Sequence, residues 1–201
     1  MTGRLVRATP AQAIPLFTDA FARDPMFKYF TGLSDPMAQT PMRKRIVAFI
    51  THLHAAAGHQ IWGWQVDGAL AGCALVVDKA HHAPQRLMLL KVLCSAVLLG
   101  FGTLSRLNAY ARRRGRGRPE GVSHFLVLVG LADKARGKGI GGPFLQALHA
   151  HSGLPAHWAL NTENPANLAF YERLGYLLYG QETLGAVTIY KFHRPALTEP
   201  H

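Results

Sequence analysis

A single α/β domain with a mixed sheet is predicted by three features of the 201-residue chain. Apolar runs of strand length recur from residue 4 to residue 192, segments with helical periodicity and helix-starting signals lie between several of them, and one basic stretch, 80–120, interrupts the series as an insertion rather than a second domain. Composition agrees, since 49% hydrophobic and 16% charged residues exclude a disordered chain, and 20 glycines without a period exclude a collagen-like one. A domain of this size buries about 70% of the surface its unfolded chain exposes, so it needs no covalent staple. Cys73 and Cys94 do not stand at C-x-x-C spacing and predict free thiols in a reducing compartment. The opening MTGRLVRATPAQAIPLFTDA has no uninterrupted apolar core of a signal peptide, so a cytoplasmic protein is expected.

In chain order, Arg4 to Ala8 alternate as a short strand, and Thr9-Pro10 opens a helix carrying Ile14, Leu16, Phe17 and Phe21, with Thr9 as N-cap. A second helix is expected from about Pro41 to Ala57. The runs 60–66 and 69–78 flank Asp67-Gly68, a dipeptide that tolerates positive φ at both positions, and predict a hairpin. Beyond the insertion come a strand over 123–131, a helix opening at Gly142-Pro143, a strand over 156–160, and a helix starting at Asn164-Pro165 and stopping at Gly175. Two alternating strands, 176–183 and 186–192, close the chain.

The charge of +11 is concentrated. Between Asp78 and Glu120 no acid occurs, while Lys79, Arg86, Lys91, Arg106, Arg112, Arg113, Arg114, Arg116 and Arg118 are all cationic. The first half of the insertion, LMLLKVLCSAVLLGFGTL, is apolar on nearly every face and predicts a buried or lid helix. It is borderline for the ~18 clean apolar residues of a membrane span, and Lys91, Gly100 and Gly102 argue against one. The following RRRGRGRPEG, cut by glycines, predicts a solvated loop, and with Tyr110 the one nearby aromatic, no nucleic-acid stacking platform is expected.

The segment Arg136 to Gly142, RGKGIGG, lies between a strand and a helix, where free backbone N–H groups and the positive end of a helix dipole hold phosphate. It is not a nucleotide-triphosphate loop, because Lys138 is followed by Gly139 instead of a hydroxyl residue that binds magnesium. Gly137, Gly139 and Gly142 satisfy the dinucleotide pattern G-x-G-x-x-G, with Glu163 placed to meet a ribose. Yet five residues separate the strand from the first glycine, and too little chain remains for the repeated βα units of that fold.

Residues 124–142, HFLVLVGLADKARGKGIGG, resemble motif A of the GNAT N-acetyltransferase superfamily, whose R/Q-x-x-G-x-G/A pattern is met by Arg136, Gly139 and Gly141. Residues 160–176, LNTENPANLAFYERLGY, resemble the superfamily's later motif, in the right order and about twenty residues on. FARDPMFKYF and the H-F-L strand entry are similar to the subgroup that contains puromycin N-acetyltransferase, so the likeness covers most of the chain outside 80–120.

The resemblance implies a fold in which two neighbouring strands of a mixed sheet splay apart around acetyl-coenzyme A, flanked by helices and here carrying a basic helical insertion. It implies that the loop amides of Arg136, Gly137, Lys138, Gly139, Ile140 and Gly141, with Gly142 beside them, hold the pyrophosphate. Main-chain groups around Val129 and Leu131 would pair with the pantetheine arm, Asn167 would lie beside it, and Tyr171 would protonate the departing thiolate or else serve as a core aromatic. The implied reaction moves acetyl to a primary amine of a small molecule by direct attack in a ternary complex. An alkyl amine with a pKa near ~10 must first lose a proton. The subgroup often carries glutamate directly after the strand ending at Leu160, where this chain has Asn161; Glu163 and His124 are the alternatives. His81-His82 and His149-x-His151 lack a third ligand at metal spacing and read as surface residues, so no metal is expected. A monomer or homodimer without stable membrane insertion is expected. Two other readings stay open: an acyl-coenzyme A sensor without turnover, and a basic peripheral membrane or nucleic-acid binder.

Overall fold

A computed structural model describes residues 3–79, 85–152 and 156–196, with backbone alone for 85–96. The paired His81-His82 and the side chain of Cys94 lie outside the described residues. Seven strands form one sheet in the order β1-β2-β3-β4-β5-β7-β6. They are β1 (Gly3–Arg7), β2 (Gln60–Val66), β3 (Ala69–Asp78), β4 (His124–Leu131), β5 (Trp158–Thr162), β6 (Leu177–Leu184) and β7 (Val187–Arg194). Helices α1 (Pro10–Ala20), α2 (Pro25–Thr31), α3 (Pro36–Ala56) and α4 (Gln85–Arg114) cover one face; α5 (Gly141–His151) and α6 (Leu168–Arg173) cover the other.

Local signals set most of these elements. Thr9 and Gln12 form a reciprocal capping box at the start of α1, satisfying two backbone donors at once. Asp67 (φ 49) and Gly68 (φ 78) make the β2–β3 hairpin turn, both in the left-handed region. Cys73 is a free, buried thiol in β3, pushed by burial up to about 12.

The structure departs from the sequence reading in three places that matter for the site. Helix α2 was not expected; Asp24 caps it by accepting from the Met26 amide at 2.9 Å, and Pro25 occupies its first turn. Asp35 caps α3 in the same way, so that helix starts at Pro36 and carries Pro41 inside it. The arginines 112–114 form the last turn of α4 instead of a loop, because arginine is a good helix former and its charge complements the helix C-terminus. Arg106 bonds the Phe30 carbonyl at 3.0 Å, Arg113 that of Thr183, and Arg118 lies 4.4 Å over the Phe125 ring, so much of the basic run is spent inside the fold. Gly100 (φ 71, ψ 153) breaks α4 in two, leaving Val97 85%, Leu98 63% and Phe101 88% exposed at the corner. Among the described residues no helix is long and apolar enough to cross a membrane.

The sheet opens between β4 and β5, where the resemblance implied a splay. Val76 of β3 pairs with Leu126 of β4, but the next residue back, Leu75, pairs with Leu128, so Val127 is an extra residue in β4. Such a bulge bends its strand and turns the following side chains over. Leu126 accordingly packs on the α5 side and Leu128 on the α1–α4 side. The parallel pairing of β4 with β5 ends at the same point: it runs from His124↔Trp158 to Leu126↔Leu160 and no further. Beyond it the two strands continue without each other.

Candidate active site

The split between β4 and β5 closes over a small cavity of about 50 Å³. Its wall joins Leu126 to Val129 of β4, Leu160 to Thr162 of β5, Glu163, Asn167 and Tyr171, with Asp24, Met26 and Tyr110 from the helical face. Glu163, Asn167, Tyr171 and Val129, named separately from the sequence, thus come together. Strand β5 extends to Thr162, two residues beyond the predicted end, so the residue directly after the strand is Glu163 and not Asn161.

Glu163 was expected either as an alternative base or as an exposed acid before a helix. It is buried, and the Tyr110 hydroxyl donates to its Oε1 at 2.7 Å. Burial, reinforced by the Asp24 carboxylate, pushes Glu163 up to about 8, against the opposing pull of the Tyr110 hydrogen bond and the Arg114 charge. Asp24 is itself pushed by burial up to about 6 despite its bond from Met26. Tyr171 lies in a ring cluster with Phe170, Tyr176 and Phe192, as a core aromatic does, and also lines the cavity. Burial, then the charges of Asp24 and Glu163, hold its hydroxyl protonated well past the ordinary phenol range. Asn161 donates to the Arg114 carbonyl at 3.3 Å, while its buried Oδ1 finds no partner among the described residues. An orphaned acceptor on the cavity wall leaves a polar contact for a ligand to make.

Asn167 bonds Thr162 Oγ1 at 3.3 Å through its side chain and so stays pinned against the end of β5. Asp24, Tyr110 and Arg114 were missed as site residues. Asp-Pro before an apolar run is a helix-cap signal that would have located Asp24, whereas Tyr110 meets Glu163 across 53 residues with no local mark. His124, the other expected base, is four residues before Leu128, roughly 13 Å along the strand. There it stacks on Trp158 at 4.8 Å and meets Ser123 Oγ at 2.9 Å.

At the outer end of the split, a short 3-10 turn (Asp133–Ala135) leads into the glycine loop and α5. Gly137 and Gly139 each have φ 71, and a Cβ at either, or at Gly142, would meet open space. Ile140 has its side chain in the core and offers no side-chain cap, so the first amides of α5 at Gly141 and Gly142 point outward without a partner one turn back. Lys138 is exposed beside them. This end fits a phosphate-bearing ligand. One of the expected amides has other employment: Arg136 N–H donates to the Asp133 carbonyl at 3.2 Å, and the Arg136 side chain bonds the Leu131 and Ala20 carbonyls at 3.4 and 2.9 Å. Gly141 is needed for packing, since a Cβ there would stand 3.3 Å from the Phe170 ring.

The architecture matches the fold of solved acetyltransferase structures: a mixed sheet parted between its two parallel strands, with a glycine loop and helix N-terminus at the mouth of the gap. More narrowly it is the GNAT fold. A Corynebacterium glutamicum protein described as histone acetyltransferase HPA2 and related acetyltransferase superposes with a TM-score of 0.68 at 20% identity over 100% of both chains. A GNAT-family acetyltransferase from Streptococcus agalactiae gives 0.54 at 20% identity over 98% of this chain and 96% of its own. Ard1 from Thermoplasma volcanium gives 0.54 at 13% over 98% and 100%. No protein-family model and no curated protein matches the sequence.

Proposed function

We propose that the protein transfers the acetyl group of acetyl-coenzyme A to a primary amine of a small molecule, by direct attack in a ternary complex. The observation that carries this reading is Glu163, a buried carboxylate hydrogen-bonded by Tyr110, on the wall of the cavity where β4 and β5 part. A base whose pKa lies near working pH is well matched to taking a proton from an ammonium group. The likeness of FARDPMFKYF to the puromycin N-acetyltransferase subgroup, and of the fold to acetyltransferases, supports the same chemistry.

Bound acetyl-coenzyme A supplies the activated thioester. The amides of Gly137 to Gly142 and the charge of Lys138 hold its pyrophosphate, with Arg136 tying the loop to α1. The stretch of β4 at Val129 and Leu131, paired with β3 but not with β5, lines the path of the pantetheine arm, and Asn167 borders its inner end. Glu163 accepts the amine proton at a carboxylate oxygen. Tyr171, protonated throughout the working range, gives its hydroxyl proton to the leaving thiolate. A buried Glu163 on the cavity wall favours turnover over the sensor reading. Free-thiol release with an amine panel, with product mass gained by one acetyl group, tests the proposal; release with no amine tried, despite tight cofactor binding, would return the protein to the sensor reading.

A further inference from the structure

We infer that the acceptor is an amine carried on an apolar body, aromatic or branched aliphatic, rather than a polycation or a peptide. The inference rests on the acetyl-transfer reading and names its substrate class. A second cavity, of about 760 Å³, lies between α3, α4 and β4 and shares Met26, Tyr110, Val127 and Leu128 with the small cavity at Glu163. That volume accommodates a drug-sized molecule. A body lodged there has the shared wall, and Glu163 beyond it, within reach of one amine.

The lining decides the chemistry. Its walls include Phe49, Ile50, Leu53, Leu104 and Leu107, and among the residues around it there is no carboxylate. Arg114 is its cation; His54, pushed down to about 3 by burial and by the charges of Arg114 and His59, is neutral there. A polyamine would bring a second ammonium into apolar walls facing a guanidinium, and burying an unpaired charge of like sign is strongly unfavourable. Phe101, 88% exposed on the rim, offers a ring to an apolar body. A neighbouring cavity of about 620 Å³ contains Lys28 and Arg106 but touches the Glu163 cavity through Asp24 alone, so it is the poorer route for an amine.

The test compares 4-phenylbutylamine, spermidine and an unblocked tetrapeptide by thiol release with acetyl-coenzyme A. The kcat/KM for 4-phenylbutylamine is expected to exceed that for spermidine by at least about tenfold. Asn108 is an exposed α4 residue on the cavity wall, and Asn108→Glu places a carboxylate there without touching the core. It should cut that ratio about tenfold or reverse it, and Phe101→Glu should do so more weakly. Preference for spermidine or the tetrapeptide, or a ratio unmoved by both variants, overturns the inference. If no amine releases thiol, calorimetry of 4-phenylbutylamine with coenzyme A present separates the two claims. Binding weakened by Asn108→Glu keeps the apolar site while the transfer reading falls, and no binding overturns both.

Discussion

At the outer end of the split the chain presents glycines and outward amides within the consecutive residues 136–142, whereas at the inner end two carboxylates and two phenols are gathered from four separated elements. The outer end is exposed, and Arg136 and Lys138 beside its glycines are basic. The inner end is buried, and its acids lie above their ordinary range because burial opposes charge and, at Glu163, the Asp24 carboxylate adds repulsion. On the proposed reading one end holds the anionic cofactor and the other moves protons. The contrast teaches that binding and chemistry in this fold have different sequence costs: a local motif suffices for the first, and the bulge at Val127 together with long-range packing is needed for the second.

The contrast is broken most severely at the inner end. Glu163→Gln retains the oxygen that accepts from Tyr110 but cannot take a proton, and Tyr171→Phe keeps the ring packing but cannot give one. Each is expected to lower kcat by about 10² to 10⁴ with cofactor affinity little changed, read by stopped-flow thiol release and calorimetry. At the outer end Gly142→Asp is the sharper variant. An acid in the first turn of α5 favours the helix yet repels phosphate, so coenzyme A affinity should fall about tenfold or more while the Tm holds or rises. A parallel loss of Tm and affinity would mean that the loop serves folding alone.

Stability carries a smaller signature of the same burial. A carboxyl group raised from 4.5 to about 8 is protonated in the folded chain where the unfolded chain is ionised. Its contribution is full below about 4.5 and is lost as pH rises through 8. Glu163→Gln should therefore unfold at a higher temperature than the wild type at pH 9, with the difference vanishing near pH 4. Smallest of all, Tyr110→Phe removes a hydrogen bond to the ionised form and should move the pH dependence of turnover upward by less than about one unit, costing a few-fold in rate at pH 7.

How far the sequence could be read follows the same division. The β2–β3 hairpin, the Thr9 cap and the glycine loop are visible because each is decided by neighbours a few residues apart. The end of β5 was placed two residues short, since Asn161 is a poor strand former, so Glu163 was read as an alternative base two residues past the strand instead of the residue that directly follows it. Helix α2 was hidden by its shortness, although its Asp24-Pro25 start was legible. Tyr110 bonds a residue 53 positions away from just before a run of arginines that reads as a solvated loop, and no periodicity announces such a pair.

The central claim is that Glu163, buried where the sheet parts, is the base for acetyl transfer, and a pH–rate profile for kcat/KM tests it most directly. With an apolar amine as acceptor, the wild type should rise with pH along a limb with its midpoint near 8 and then level, as the Glu163 carboxylate forms. Glu163→Gln should be slow throughout and lack that limb. A limb that persists unchanged in Glu163→Gln, or that lies near ~10 where the free amine titrates in both proteins, would contradict the claim and assign deprotonation to solvent.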